Sequence, residues 1–241
     1  PRNRMNLRTL IPRGIKHSTR VLTISKATAE RLEHWYRLAK DKSLVLYPAP
    51  PDPAPADSSM QLPQKFFLYV STLEPRKNVA NIIRAYSLLP AEIRNEYKLI
   101  LAGGKGWMDD EIQSELASCD PAQVVVLGYV SDGQKAALYS KATAFVYPAL
   151  FEGFGMPILE AQRAGVPVIT SRNSSLPEAA GEAAVYVKPD AKSIAHGMEK
   201  IVKDQALRKR LIAAGKKHAQ KFTWRLSAEK LAQVIRANET S

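Results

Sequence analysis

From residue 65 onward the chain repeats one pattern, a short apolar run followed by a longer stretch in which apolar positions recur every three or four residues. The runs at 66–70, 97–102, 124–127, 144–147, 168–170 and 184–187 are largely continuous rather than alternating, as strands are when both faces of a sheet are covered. Between them, 79–89 places Ile82, Ile83, Tyr86 and Leu89 on one helical face. Further helices are predicted at 109–117, at 134–140, from Met156 to Gly165 and at 176–180. This alternation predicts right-handed crossovers and a parallel sheet with helices on both faces, a Rossmann-like α/β domain over residues 65–221. Closing helices are expected at 194–202, 205–214 and 224–237, with Gly215 suited to end the second.

The first 47 residues read differently. Residues 1–20 carry six Arg/Lys and no acid, which suggests a basic helix and loop. Residues 20–24 and 43–47 read as short strands flanking a helix at 27–38, with Ser25 near its N-cap. Two strands and a helix do not close a core alone. Residues 48–63 then contain six prolines, the composition of an extended, semi-rigid connector.

The predicted loop between the run at 144–147 and the next helix is the richest in chemistry. It reads Phe151, Glu152, Gly153, Phe154, Gly155, Met156, followed by Pro157 at a position suited to a first helical turn. Loops at the carboxyl ends of parallel strands are where open sheets bind ligands. Two glycines permit close backbone approach, and a helix's first N–H groups favour an anion such as a phosphate. Glu152 and Glu160 put one carboxylate in the loop and another about one turn into the helix, able to bracket one ligand. From spacing alone, a solvated Glu160 and a Glu152 that favours the helix dipole is an equal reading. Arg76 and Lys77 sit in the loop after the first strand of the domain, on the same sheet edge; taken alone, ordinary surface charge is the readier account of them. Gly103 and Gly104 suit the end of a strand, and the Gly128, Tyr129, Val130 segment carries little information by itself.

Composition narrows the function classes. The chain has 241 residues, 45% hydrophobic and 24% charged, as in a globular protein. No apolar run approaches the ~20 residues of a membrane span, and the first residues hold no apolar signal core. The single Cys119 offers no internal disulfide and no cysteine-based zinc site, so a reducing compartment is the default. The net charge of +12 is uneven: +8 over 1–42, −4 over 43–187 and +8 over 188–241. Basic ends suit nucleic acid, an anionic membrane surface or a partner domain. No RNA-binding motif or zinc finger favours nucleic acid. No G-x-G-x-x-G follows the first strand, against NAD, and no G-x-x-x-x-G-K-[ST] occurs, against a P-loop ATPase.

The run from Phe151 to Gly155, with Pro157, Glu160, Ala161 and the Gly165 to Val168 segment, closely resembles the signature of retaining GT-B glycosyltransferases of the Glu-x7-Glu type, family 4, also called glycosyl transferases group 1. The resemblance implies that 65–221 is the nucleotide-sugar-binding, C-terminal half of a GT-B fold. Residues 1–47 would be a remnant of the N-terminal, acceptor-side domain, most of which lies outside this chain. Residues 48–64 would be the hinge, and 222–241 a helix returning towards the N-terminal half, with Trp224 the residue to watch.

It further implies that Glu160 takes the ribose hydroxyls and that Glu152 faces the donor sugar. The backbone amides of Gly153, Phe154, Gly155 and Met156 would hold sugar and distal phosphate. Lys77 and Arg76 would neutralise the leaving diphosphate, Gly103 would lie beside the nucleotide, and Tyr129 and Val130 would pack on the base. Many relatives carry Gly-Arg where this chain has Ser71 and Thr72, which leaves Lys77 the firmer of the two cations.

The implied reaction is hexosyl transfer from a GDP-, UDP- or ADP-sugar to a saccharide or lipid-linked acceptor. Configuration would be retained and no metal required, in polysaccharide or glycolipid synthesis of the bacterial type. The implied location is the cytoplasm, peripheral to the inner membrane face. A second reading is a non-catalytic nucleotide-sugar-binding or assembly subunit without its acceptor domain; a third, weaker one is a nucleic-acid binder using the basic ends.

Overall fold

The computed structural model describes residues 2–107 and 110–239 and divides into two compact units, 1–48 with 224–241, and 49–223. The larger holds, among the described residues, a six-stranded sheet in the order β5-β4-β3-β6-β7-β8 with every pairing parallel. Its strands are β3 (Phe66–Val70), β4 (Lys98–Ala102), β5 (Val124–Gly128), β6 (Ala144–Tyr147), β7 (Val168–Ser171) and β8 (Ala184–Val187). The central strands β3, β6 and β7 are buried at every position, whereas the edge strands β5 and β8 are mostly half-exposed. That difference explains why continuous apolar runs, not alternation, mark the middle of the sheet.

The connecting helices are α3 (Val79–Ser87), α4 (Ala91–Glu96), α5 (Asp110–Ala117), α6 (Asp132–Lys141), α7 (Met156–Ala164) and α8 (Leu176–Ala180). α3 packs with α5, and α7 packs with α6 and α8. Right-handed crossovers put these two groups on opposite faces, because the chain steps outward from β3 to β5 and then back across to β6. Two more helices follow, α9 (Ala191–Lys203) against α3 and α10 (Gln205–Ala219) against α7.

Local chemistry sets several helix ends. Ser131 and Gln134 form a reciprocal capping box at α6, while Asp190 and Asp204 accept from Ser193 N and Leu207 N at the starts of α9 and α10. The Asp190 cap starts α9 three residues before the periodic pattern does. The helix read at 109–117 begins at Asp110 within the described residues; Asp109 lies outside them. The short α4 was not anticipated, because six residues capped by Pro90 show too little periodicity. Gly215 does not end a helix. It lies inside α10, where a Cβ would come 3.1 Å from Gln162 Cγ, so it serves the close approach of α10 to α7.

Residues 49–63 form no regular helix or strand within this unit. Arg163 donates to the carbonyls of Pro50 and Pro51 (3.3 and 3.0 Å), and Asp57 N donates to Gly133 O (3.0 Å). The smaller unit contains α1 (Arg2–His17), β1 (Val21–Thr23), α2 (Lys26–Tyr36), β2 (Ser43–Val45) and α11 (Trp224–Glu239). β1 pairs with β2 in parallel, and Ser25 caps α2 by accepting from Thr28 N. α11 is tied on by Ser227 Oγ to Tyr47 O (2.5 Å) and Lys230 Nζ to Val45 O (2.9 Å). Trp224 is exposed at its start, beside Leu22, Ile24 and Tyr47.

Candidate active site

The strand order reverses between β3 and β6, and this topological switch point is where an open α/β sheet leaves a crevice at its carboxyl edge. The loop after β3 contains a 3₁₀ turn at Pro75–Lys77, and the loop after β6 runs from Pro148 to Gly155. Asn78, in the left-handed conformation, joins the turn to α3, and its Nδ2 donates to Pro148 O and Pro189 O (3.1 and 2.9 Å). Leu150 N donates to Arg76 O (2.9 Å), so the two loops are bound backbone to backbone.

Into this junction come Lys77 and Glu152, 7% and 8% exposed, as a buried ion pair. Tyr147, the last residue of β6, accepts from Lys77 Nζ at 2.8 Å and donates to Glu152 Oε1 at 2.6 Å. Arg76 Nη1 reaches Glu152 Oε2 (3.1 Å) and Phe151 O (3.2 Å), and its Nη2 reaches Glu74 Oε1 (2.5 Å). Glu74 also accepts from Trp107 Nε1 (3.0 Å). The hydroxyls of Ser174 and Ser175 donate to Glu152 O (2.6 and 3.0 Å) and hold the loop's backbone from the β7 side.

The charges of Glu74, Arg76, Lys77 and Glu152 sum to zero, which is how two cations and two carboxylates persist at the sheet's edge. Burial, reinforced by the Glu152 charge, pushes the Tyr147 hydroxyl far above the ordinary tyrosine range, so it remains a donor. Burial opposes the Arg76 charge, but Glu152 and Glu74 outweigh it and raise its pKa.

Glu160 lies in the second turn of α7 with its own partners. Lys135 Nζ is 3.3 Å from Oε1, and the Tyr139 hydroxyl is 3.2 Å from Oε2. Glu160 lines a cavity of about 330 Å³ bounded by α6, α7 and residues 50–56. The rings of Tyr139, Phe145 and Tyr147 form one row, Tyr139 edge-on to Phe145 (centroids 5.6 Å apart) and Phe145 stacked on Tyr147 (5.5 Å). Both glutamates thus rest against hydroxyls at the two ends of one aromatic row.

The other sequence-predicted positions fall as follows. Gly155 is left-handed (φ 109°) at the N-terminus of α7, and Met156 is that helix's first residue, half-buried. Phe154 is buried, its ring 5.5 Å from that of Phe222, so only its backbone faces the loop; Gly153 is half-exposed. Gly103 directly follows β4, where a Cβ would lie 1.8 Å from Ser71 O, a close approach only glycine permits. Tyr129 is 85% exposed and Val130 half-exposed, in the loop after β5, two strands away from β3. Sequence reasoning missed Tyr147, Glu74, Trp107, Lys135 and Tyr139. The one signal for Tyr147 was a hydroxyl closing an otherwise apolar strand.

Residues 54–218 match the family described as glycosyl transferases group 1. The chain belongs to that family. This group 1 glycosyl transferase is 42% identical over 163 residues to O-antigen chain mannosyltransferase B of Escherichia coli, covering 67% of this chain and 43% of the relative. It is 34% identical over 221 residues to the serotype-specific mannosyltransferase WbdA of Escherichia coli, covering 85% and 27%. It therefore spans less than half the length of either relative.

Among solved structures, Anabaena Alr3699/HepE in complex with UDP-glucose superposes with a TM-score of 0.81 at 16% identity, over 97% of this chain and 68% of that one. Sucrose-phosphate synthase from Thermosynechococcus elongatus gives 0.76 at 22%, over 95% and 60%. These likenesses establish a shared GT-B-type fold. Within the group 1 glycosyl transferase, both carboxylates and both cations of the crevice lie inside the matched segment.

Proposed function

We propose that this chain binds a nucleoside diphosphate hexose and serves its transfer to a saccharide or lipid-linked acceptor with retention at the anomeric carbon. The names of the relatives make mannose the first sugar to test. The observation that carries the reading is the cluster at the switch point, where Glu152, Lys77 and Arg76 meet at the start of the helix that bears Glu160.

In this reading Glu160 accepts from the two ribose hydroxyls, a carboxylate having lone pairs beyond those used by Lys135 and Tyr139. Tyr129 and Val130 pack on the base, and Gly103 borders the nucleotide. The diphosphate lies against Lys77 and Arg76; Arg76, the more exposed of the two, turns from Glu74 towards it. Amides from Gly153 to Met156 hold the sugar and the distal phosphate, helped by the first-turn N–H groups of α7. Glu152 orients sugar hydroxyls and balances positive charge growing at the anomeric carbon.

The acceptor hydroxyl attacks from the face the phosphate leaves. The carbon–oxygen bond to phosphate breaks as the bond to the acceptor oxygen forms, and the acceptor's proton passes to the departing phosphate oxygen. The basic ends would carry the chain to an anionic membrane surface, where lipid-linked acceptors reside.

Calorimetric titration with GDP, UDP and ADP tests the reading, because it separates the base from the rest. Binding of one of them, weakened at least tenfold in Glu160→Ala, is the expected result. Equal affinity of wild type and variant would remove Glu160 from the ribose site.

A further inference from the structure

Glu160 is a site residue only if its carboxylate keeps one orientation, and a glutamate on an open helix face has several rotamers to choose from. The structure removes that freedom through α6. Lys135, in the first turn of α6, places Nζ 3.3 Å from Oε1, and Tyr139, one turn later, places its hydroxyl 3.2 Å from Oε2. The spacing of four residues puts both on the face of α6 that meets α7. Tyr139 is 4% exposed, its ring packs edge-on to Phe145, and its hydroxyl also lies 3.4 Å from Pro157 O at the base of α7. Lys135 is tethered a second time by Asp132 at 3.3 Å. The Glu160 side chain is 16% exposed and the residue lines the cavity, so each carboxylate oxygen has one partner from α6 and keeps a lone pair for a further donor.

We infer that Lys135 and Tyr139 are positioning residues that fix the Glu160 carboxylate for a ribose diol. Tyr139 does for Glu160 what Tyr147 does for Glu152, from the opposite end of the same aromatic row. The ligand class is a nucleotide whose sugar bears both the 2′ and 3′ hydroxyls, and the inference rests on the reading of Glu160 given above. Burial, followed by the Glu160 charge, keeps Tyr139 protonated far above neutral pH; burial opposes the Lys135 charge, but Glu160 and Asp132 outweigh it and raise its pKa.

The readout is a ratio, because a structural role weakens all ligands alike. The affinities of UDP, GDP and ADP and of their 2′-deoxy forms are measured by calorimetry on wild type, Glu160→Gln, Tyr139→Phe and Lys135→Met. Wild type should favour the ribose form of its preferred nucleotide by about tenfold or more, the worth of one hydrogen bond to a charged group. Glu160→Gln should bring the ratio close to one. Tyr139→Phe and Lys135→Met should each lower it at least threefold, with affinity for the deoxy form nearly unchanged.

A ratio that survives Glu160→Gln overturns the ribose reading and the positioning with it. A ratio that collapses in Glu160→Gln but stays at the wild-type value in both α6 variants overturns the positioning alone. Lys135→Met removes a side chain one-quarter exposed and keeps the test open if Tyr139→Phe does not fold.

Discussion

Removing the Lys77 cation should cost more stability than any surface charge in the protein. The perturbation is Lys77→Met, which keeps the stem and deletes the ammonium. Lys77 and Glu152 are under one-tenth exposed, so solvent does not screen the loss, and Glu152 is left buried with Arg76 and Tyr147 as its remaining partners. Breaking a buried pair by removing one member costs about 3–5 kcal/mol, and the surviving Arg76 contact puts the expected value near the lower end, about 3 kcal/mol. For a unit of about 175 residues, Ala49–Thr223, each kcal/mol lowers Tm by about 2–4 °C, so the drop should be about 6–12 °C.

Thermal unfolding followed by circular dichroism measures it, and Glu152→Gln with the double variant completes a cycle. The double variant should be more stable than the sum of the single changes predicts, by about 2 kcal/mol, because no charge is then left buried alone. A single-variant cost below about 1 kcal/mol, or strict additivity, would refute the claim that the pair is a desolvated unit.

Other outcomes follow from the same geometry. Gly103→Ala should destabilise by about 3 kcal/mol or lose soluble expression, since its Cβ would strike the Ser71 carbonyl; a neutral result in urea unfolding would contradict the packing at the end of β4. Ser131→Ala should cost about 1 kcal/mol in the same assay through loss of the α6 cap. Burial holds the His218 imidazole below its ordinary value of 6.5, so the unfolded state binds more protons there. The contribution is fully present above pH 6.5 and is lost as pH falls through the lower native value. Tm should therefore drop between pH 7 and pH 5, and His218→Gln should flatten that part of the profile.

The parallel sheet was legible because its central strands are buried on both faces and so are apolar at nearly every position, as at 66–70 and 144–147. Glu152, Lys77 and Arg76 were legible as candidates because they stand in loops at one sheet edge, and the structure brings those three side chains into contact. Their partners were hidden for a physical reason. Tyr147 and Tyr139 pass for core aromatics until the hydroxyl is located, Lys135 passes for a solvated helix cation, and Glu74 meets Trp107 across 33 residues of chain. Gly215 misled because a glycine ending a helix and one admitting a second helix look alike in sequence. Residues 49–63 show no periodicity that could foretell Arg163 holding the Pro50 and Pro51 carbonyls.

The reversal of strand order has a temporal consequence. β3, β4 and β5 can assemble as the chain emerges, but β6 must travel back past them to dock on the free flank of β3, pairing Phe67 with Ala144. Only then do Lys77 and Glu152, 75 positions apart, come within reach. Such distant closures are the slow part of folding. The Lys77–Glu152 contact is thereby reserved for molecules in which β6 has docked, and a nascent chain halted before Tyr147 would carry both cations and no partner from β6 to receive them.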